Sequence, residues 1–171
     1  MTQEWKKDFF EKLEERLEKI TDDNILAQDP GGEWYLKTIL AASADLEESV
    51  LVQAVTYQAR PDVLMMELYV QLSAMYHPEA ELEVRTAMDE LNSFLPIGAL
   101  GISPRDGSIY LRDCFRLPAE ESADKAAEDA YTDYELIMEE VMAAYPGLKL
   151  IWTGEKTFAQ VVEMGLLRKY S

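Results

Sequence analysis

Apolar residues first recur at helical spacing in this chain. Trp5, Phe9, Phe10, Leu13, Leu17 and Ile20 fall on one arc of a helical wheel, and Glu4, Asp8, Glu11, Glu14, Glu15 and Glu18 fall opposite. The pattern predicts a first helix ending in the polar run Thr21 to Asn24, with Trp5 and Phe10 on the two rims of its apolar arc. Asp29-Pro30-Gly31-Gly32 is a turn signal, and Glu33 to Ala42 then reads as a strand. Ser43 to Ser49 is a polar connection. Val50 to Gln58 and Val63 to Tyr76 form a strand pair across Ala59-Arg60-Pro61-Asp62. The second run alternates: Leu64, Met66, Leu68, Val70 and Leu72 face one way, and Met65, Glu67, Tyr69 and Gln71 the other.

A second helix is predicted from His77-Pro78-Glu79 to Pro96. Its buried stripe is Ala80, Val84, Ala87, Met88, Leu91, Phe94 and Leu95, with Leu82 pointing elsewhere. Gly98 to Ser103 and Ser108 to Leu117 make a second hairpin around Pro104-Arg105-Asp106-Gly107. A third helix runs from Pro118 to about Tyr145, where Pro146-Gly147 stops it. Ala123, Ala127, Ala130, Tyr131, Tyr134, Ile137, Met138, Val141 and Tyr145 share its inner face. After it, Leu148 to Trp152 reads as a strand and Thr157 to Arg168 as a short helix. The class is α+β in the order α-β-β-β-α-β-β-α, an antiparallel sheet with helices packed against it, plus a short C-terminal β-α extension. A length of 171 residues fits one domain, with a core over 1–145 and an extension over 146–171.

Charge narrows the partners. Thirty-three acidic against sixteen basic residues give −17, which repels phosphate backbones and anionic membranes and leaves neutral or basic partners. No run approaches a membrane span, and the first residues lack a basic start and apolar core. A cytoplasmic protein with neither signal peptide nor membrane or nucleic-acid ligand is expected.

Chemistry is sparse. His77 is the sole histidine and no Cys-x-x-Cys, His-x-x-x-His or Glu-x-x-His spacing occurs, so no metal or other cofactor is expected. Cys114, the sole cysteine, lies in a predicted strand, where a small buried apolar role is usual. The glycine pairs lack the following Lys-Ser or Lys-Thr of a phosphate cradle, and the carboxylate pairs Asp22-Asp23 and Glu47-Glu48 lie in polar loops. No catalytic residue is assigned.

The passage Asn92-Ser93-Phe94-Leu95-Pro96-Ile97-Gly98, the hairpin Leu100 to Leu111 and the long helix after it carry a resemblance. From Gln3 to about Tyr145 the chain resembles the type III secretion chaperone-like fold, including the bacterial YbjN-like family of sensory transduction regulators. The resemblance implies a small, acidic, non-enzymatic protein that forms a homodimer and holds an extended segment of another protein. It carries no catalytic or ligand residue over. From the residues themselves, Met65 and Tyr69 on the half-apolar strand face and Phe10 on the helix rim are the candidate partner-binding positions. An alternative is a small-molecule sensing domain with an apolar pocket lined by Met65, Tyr69 and Trp34.

Overall fold

The Thr2 side chain accepts a hydrogen bond from the Trp5 N–H and so caps the first helix, α1 (Gln3–Leu17). The computed structural model describes residues 2–21, 23–41, 48–73, 75–118 and 120–167. The other elements are β1 (Asn24–Gln28), β2 (Trp34–Ala41), β3 (Ser49–Arg60), β4 (Val63–Ser73), a 3-10 turn (Pro78–Ala80) and α2 (Glu81–Asn92). They continue with β5 (Ala99–Ile102), β6 (Ile109–Leu117), α3 (Ala123–Trp152) and α4 (Phe158–Glu163). The strands form one antiparallel sheet in the order β1-β2-β3-β4-β6-β5, with helices packed against it. The α+β class therefore holds, with four departures from the expected elements.

First, β1 is an additional strand. Its five residues are too few to show a period, and pairing with β2, Asn24 opposite Thr38 through Gln28 opposite Trp34, is what makes it a strand. Second, α1 ends at Leu17, which leaves Ile20, counted on the apolar arc, 49% exposed. Third, α3 continues through Pro146-Gly147 to Trp152, so the strand expected at Leu148 to Trp152 is helix. Proline there forfeits a backbone hydrogen bond. Burial of Leu148, Ile151 and Trp152 offsets it, and Gly147 permits a close approach: a Cβ on it would lie 2.7 Å from Leu167 Cγ and 2.9 Å from Val161 Cγ1. The second helix also starts and ends differently, since Pro78–Ala80 is 3-10 and α2 stops at Asn92, leaving Phe94 and Leu95 half-buried beyond it. The expected connection over 43–49 and the last residue of the C-terminal helix, Arg168, fall wholly or partly outside the described residues.

The chain divides into two units. The first comprises residues 1–70 and 113–136. Here α1 packs on β1 and β2 and buries Phe9, Phe10, Leu13 and Leu17, with Trp5 stacked on Phe9 at a centroid distance of 5.5 Å. The Trp5 indole N–H donates to the Glu121 carbonyl, and the Arg16 guanidinium pairs with Asp124 at 3.0 Å, tying α1 to the start of α3. Lys6 is buried and paired with Glu33.

The second unit comprises residues 71–112 and 137–171. Asn92, the last residue of α2, donates to the Leu100 carbonyl at 3.1 Å and accepts from the Leu100 N–H at 2.7 Å. Because β5 is the last strand of the sheet, this side chain stands in for a missing neighbour and blocks further strand pairing at Leu100. Thr157 and Gln160 form a reciprocal capping box on α4, and Glu83 of α2 accepts from the Phe158 N–H at 2.8 Å.

Candidate functional site

Strand alternation sorts the first unit's side chains into two faces. On β2, β3 and β4, Leu36, Thr38, Leu40, Val50, Val52, Ala54, Leu64, Met66 and Leu68 are buried. Residues directly opposite across a ladder share a face. The other face therefore carries Ile25 beside Lys37 and Gln53, Tyr35 beside Val55, and Ile39 beside Leu51. Met65, Glu67 and Tyr69 continue it on β4, all half-buried. Ile25 is 54% exposed, Ile39 42% and Tyr57 39%, so that face is open to solvent at these positions.

At its β6 side the Tyr57 hydroxyl lies 3.9 Å from the Cys114 sulfur, which lies 3.8 Å from Glu67 Oε2. Cys114 is exposed rather than buried, because the phase of β6 turns Ile109, Leu111 and Leu117 inward and the even positions out. Lys37 extends over the Tyr35 ring, 5.3 Å from its centroid. The charged positions of this strand surface are Lys37, Glu67 and Arg116, two basic and one acidic, in a unit whose sequence carries twenty-three acidic and nine basic residues.

The expected site residues part company here. Met65 and Tyr69 stand together on the open face, whereas Phe10 is 0% exposed in the core and offers no surface to a partner. Its rim position on the wheel did not show this burial, which follows from α1 packing on β1 and β2 and being tied to the start of α3. Trp34 shares its face with the buried Leu36 and Thr38, so the sheet separates it from Met65 and Tyr69, and the pocket expected between them does not form. His77 is exposed before the 3-10 turn, its side chain makes no capping bond, and its backbone N–H donates to the Trp152 carbonyl at 2.7 Å. Among the described residues no three metal-ligating side chains come together, and no helix is long and apolar enough to cross a membrane. Asp22 and Glu47 of the carboxylate pairs lie outside the described residues.

The second unit holds a groove of about 700 Å³ that the sequence pattern did not announce. Leu91, Phe94 and Leu95 at the end of α2 form one wall, Leu100 and Leu111 the floor, and Val141, Ala144 and Leu148 of α3 another wall, with Leu166 and Leu167 closing one end. Phe94 and Leu95 line it because α2 stops early, and Leu148 because α3 does not. Among the described residues that line it, Glu140 is the one ionisable side chain.

No family model, curated protein or solved structure matches this chain.

Proposed function

We propose that this chain is a non-enzymatic protein-binding adaptor or chaperone-like regulator, a cytoplasmic acidic homodimer that holds a segment of a partner protein. On this reading its sheet and helices are a variant of the type III secretion chaperone-like fold shared with the YbjN-like regulators, with β1 added at one edge. The observation that carries the reading is the open sheet face of the first unit. Ile25, Ile39, Tyr57, Met65 and Tyr69 lie on it with few charges, on a unit otherwise dense in carboxylates. Interface centres are depleted in charge and enriched in Tyr and Met in the same way. A half-apolar sheet face on a foldable acidic chain is suited to burying area against a partner while staying soluble alone.

The test is the double variant Met65→Lys with Tyr69→Ser. Both positions are half-buried, so the melting temperature should fall by no more than a few degrees while capture of the partner from source lysate, identified by mass spectrometry against wild type, is lost. A collapse of the melting temperature would make this face core and end the reading. Light scattering should report twice the 19.5 kDa chain mass at micromolar concentration, and monomer alone would remove the homodimer.

A further inference from the structure

The groove of the second unit poses a separate chemical question. Its walls are leucine, phenylalanine, valine and alanine, and a volume of about 700 Å³ is that of a small-molecule site. Glu140 lines it half-buried, and among the described residues no hydrogen bond or ion pair engages its carboxylate. A carboxylate held beside apolar walls without a partner favours a cation arriving with an apolar body. An anionic amphiphile meets the opposite, since both Glu140 and the chain's −17 oppose it.

We propose that this groove binds a small molecule with an apolar body and one cationic nitrogen, the body among the leucines and the nitrogen at Glu140. The single carboxylate matches one cation, whereas a basic protein segment would bring several. Walls from α2, β5, β6, α3 and the residues after α4 line a volume of about 700 Å³, the size of a small-molecule site. Asn92 already occupies the β5 edge at Leu100, where an extended peptide would pair. The site lies in the other unit from the open sheet face and stands or falls independently of it.

The probes are decylammonium, decanoate and 1-decanol at submicellar concentration, followed by amide NMR shifts on the full chain. Decylammonium should bind most tightly and decanoate least, with shifts confined to residues around 91–100, 140–148 and 165–167. Glu140→Gln should weaken decylammonium by about tenfold and leave 1-decanol within about twofold. Ala143→Trp places a large ring at an exposed lining position and should abolish binding of all three without changing the melting temperature. Equal loss of ammonium and alcohol in Glu140→Gln, or no loss at all, overturns the proposal. The second result would mean that the diffuse charge of the chain, which one substitution barely alters, had attracted the cation. If decylammonium does not bind but a Leu/Lys peptide binds in a Glu140-dependent way, the occupant is a protein segment and the small-molecule assignment fails. If Ala143→Trp instead changes the mass seen by light scattering, a second copy occupies the groove and the assignment fails as well.

Discussion

The first unit carries a sequence charge of −14, twenty-three acidic against nine basic residues, and the second carries −3, ten against seven. Many acids of the first unit, among them Glu4, Asp8, Glu15, Glu18, Asp124, Glu128, Asp129 and Glu135, are exposed on or beside α1 and α3, and its open surface is a sheet face with little charge. The nearly neutral second unit instead has an apolar groove with one carboxylate among its described lining residues. Charge and apolar surface are thus divided differently in the two regions. In the first, repulsion between helix faces is accepted around a broad apolar plane. In the second, apolar surface is gathered into a concavity that exposes less of it to water.

The comparison predicts that the acidic unit depends on its apolar core to hold the charge together. Phe10→Ala should therefore lower unfolding free energy by about 3–5 kcal/mol in urea titration, the usual cost of emptying a phenylalanine site. An unchanged midpoint with weakened partner capture would return Phe10 to the surface. In the second unit the corresponding test is Gly147→Ala. At an open helix position this change stabilises by about 1 kcal/mol. Here the added Cβ meets Leu167 Cγ at 2.7 Å, and overpacking costs about 1–3 kcal/mol, so a net loss is expected; a gain would mean that the α3 to Leu167 contact yields easily.

The smallest effect concerns pH, and its sign should differ between the units. In the first, burial and then neighbouring acids, Glu18 and Glu11 for Glu14 and Asp113 and Asp129 for Asp133, raise both carboxyls above the ordinary range. The folded state then binds more protons than the unfolded one just above that range. Stability from these groups is lost as pH rises through their folded values and gained on acidification from neutrality toward 5. In the second unit Asp106 accepts from the Ser108 N–H and from the hydroxyls of Ser103 and Ser108, which holds its carboxyl below the ordinary range. Its contribution is present above the ordinary carboxylate value and is lost only as pH falls through the lowered one. Asp133→Asn should raise the melting temperature by about 1–2 °C at pH 7.5 and by less at pH 5. Equal gains at both pH values would show that the acid cluster does not strain the fold.

Much of the candidate site was legible in outline. The alternation of Val63 to Tyr76 placed Met65 and Tyr69 together on the face opposite the core, which the burial of β4 reproduces. Neither the isolation of Trp34 on the other side nor the exposure of Cys114 could be read, because strand phase relative to a partner strand is set by register. The groove was invisible for a related reason: its lining comes from segments dozens of residues apart, and two of its walls depend on where α2 and α3 end.

What the sequence determined by itself is the set of elements whose burial pattern is local. Those are the amphipathic arcs of α1, α2 and α3, the alternation of β4, and the turns at Asp29 to Gly32 and Pro104 to Gly107. In each, side-chain spacing alone separates a wet face from a dry one. Tertiary structure decided the rest. β1 exists because β2 supplies hydrogen-bond partners to five residues with little preference of their own. Phe10 is core because of how α1 packs in the tertiary structure, and α3 passes a proline because Leu148, Ile151 and Trp152 gain more from burial than the missing backbone bond costs.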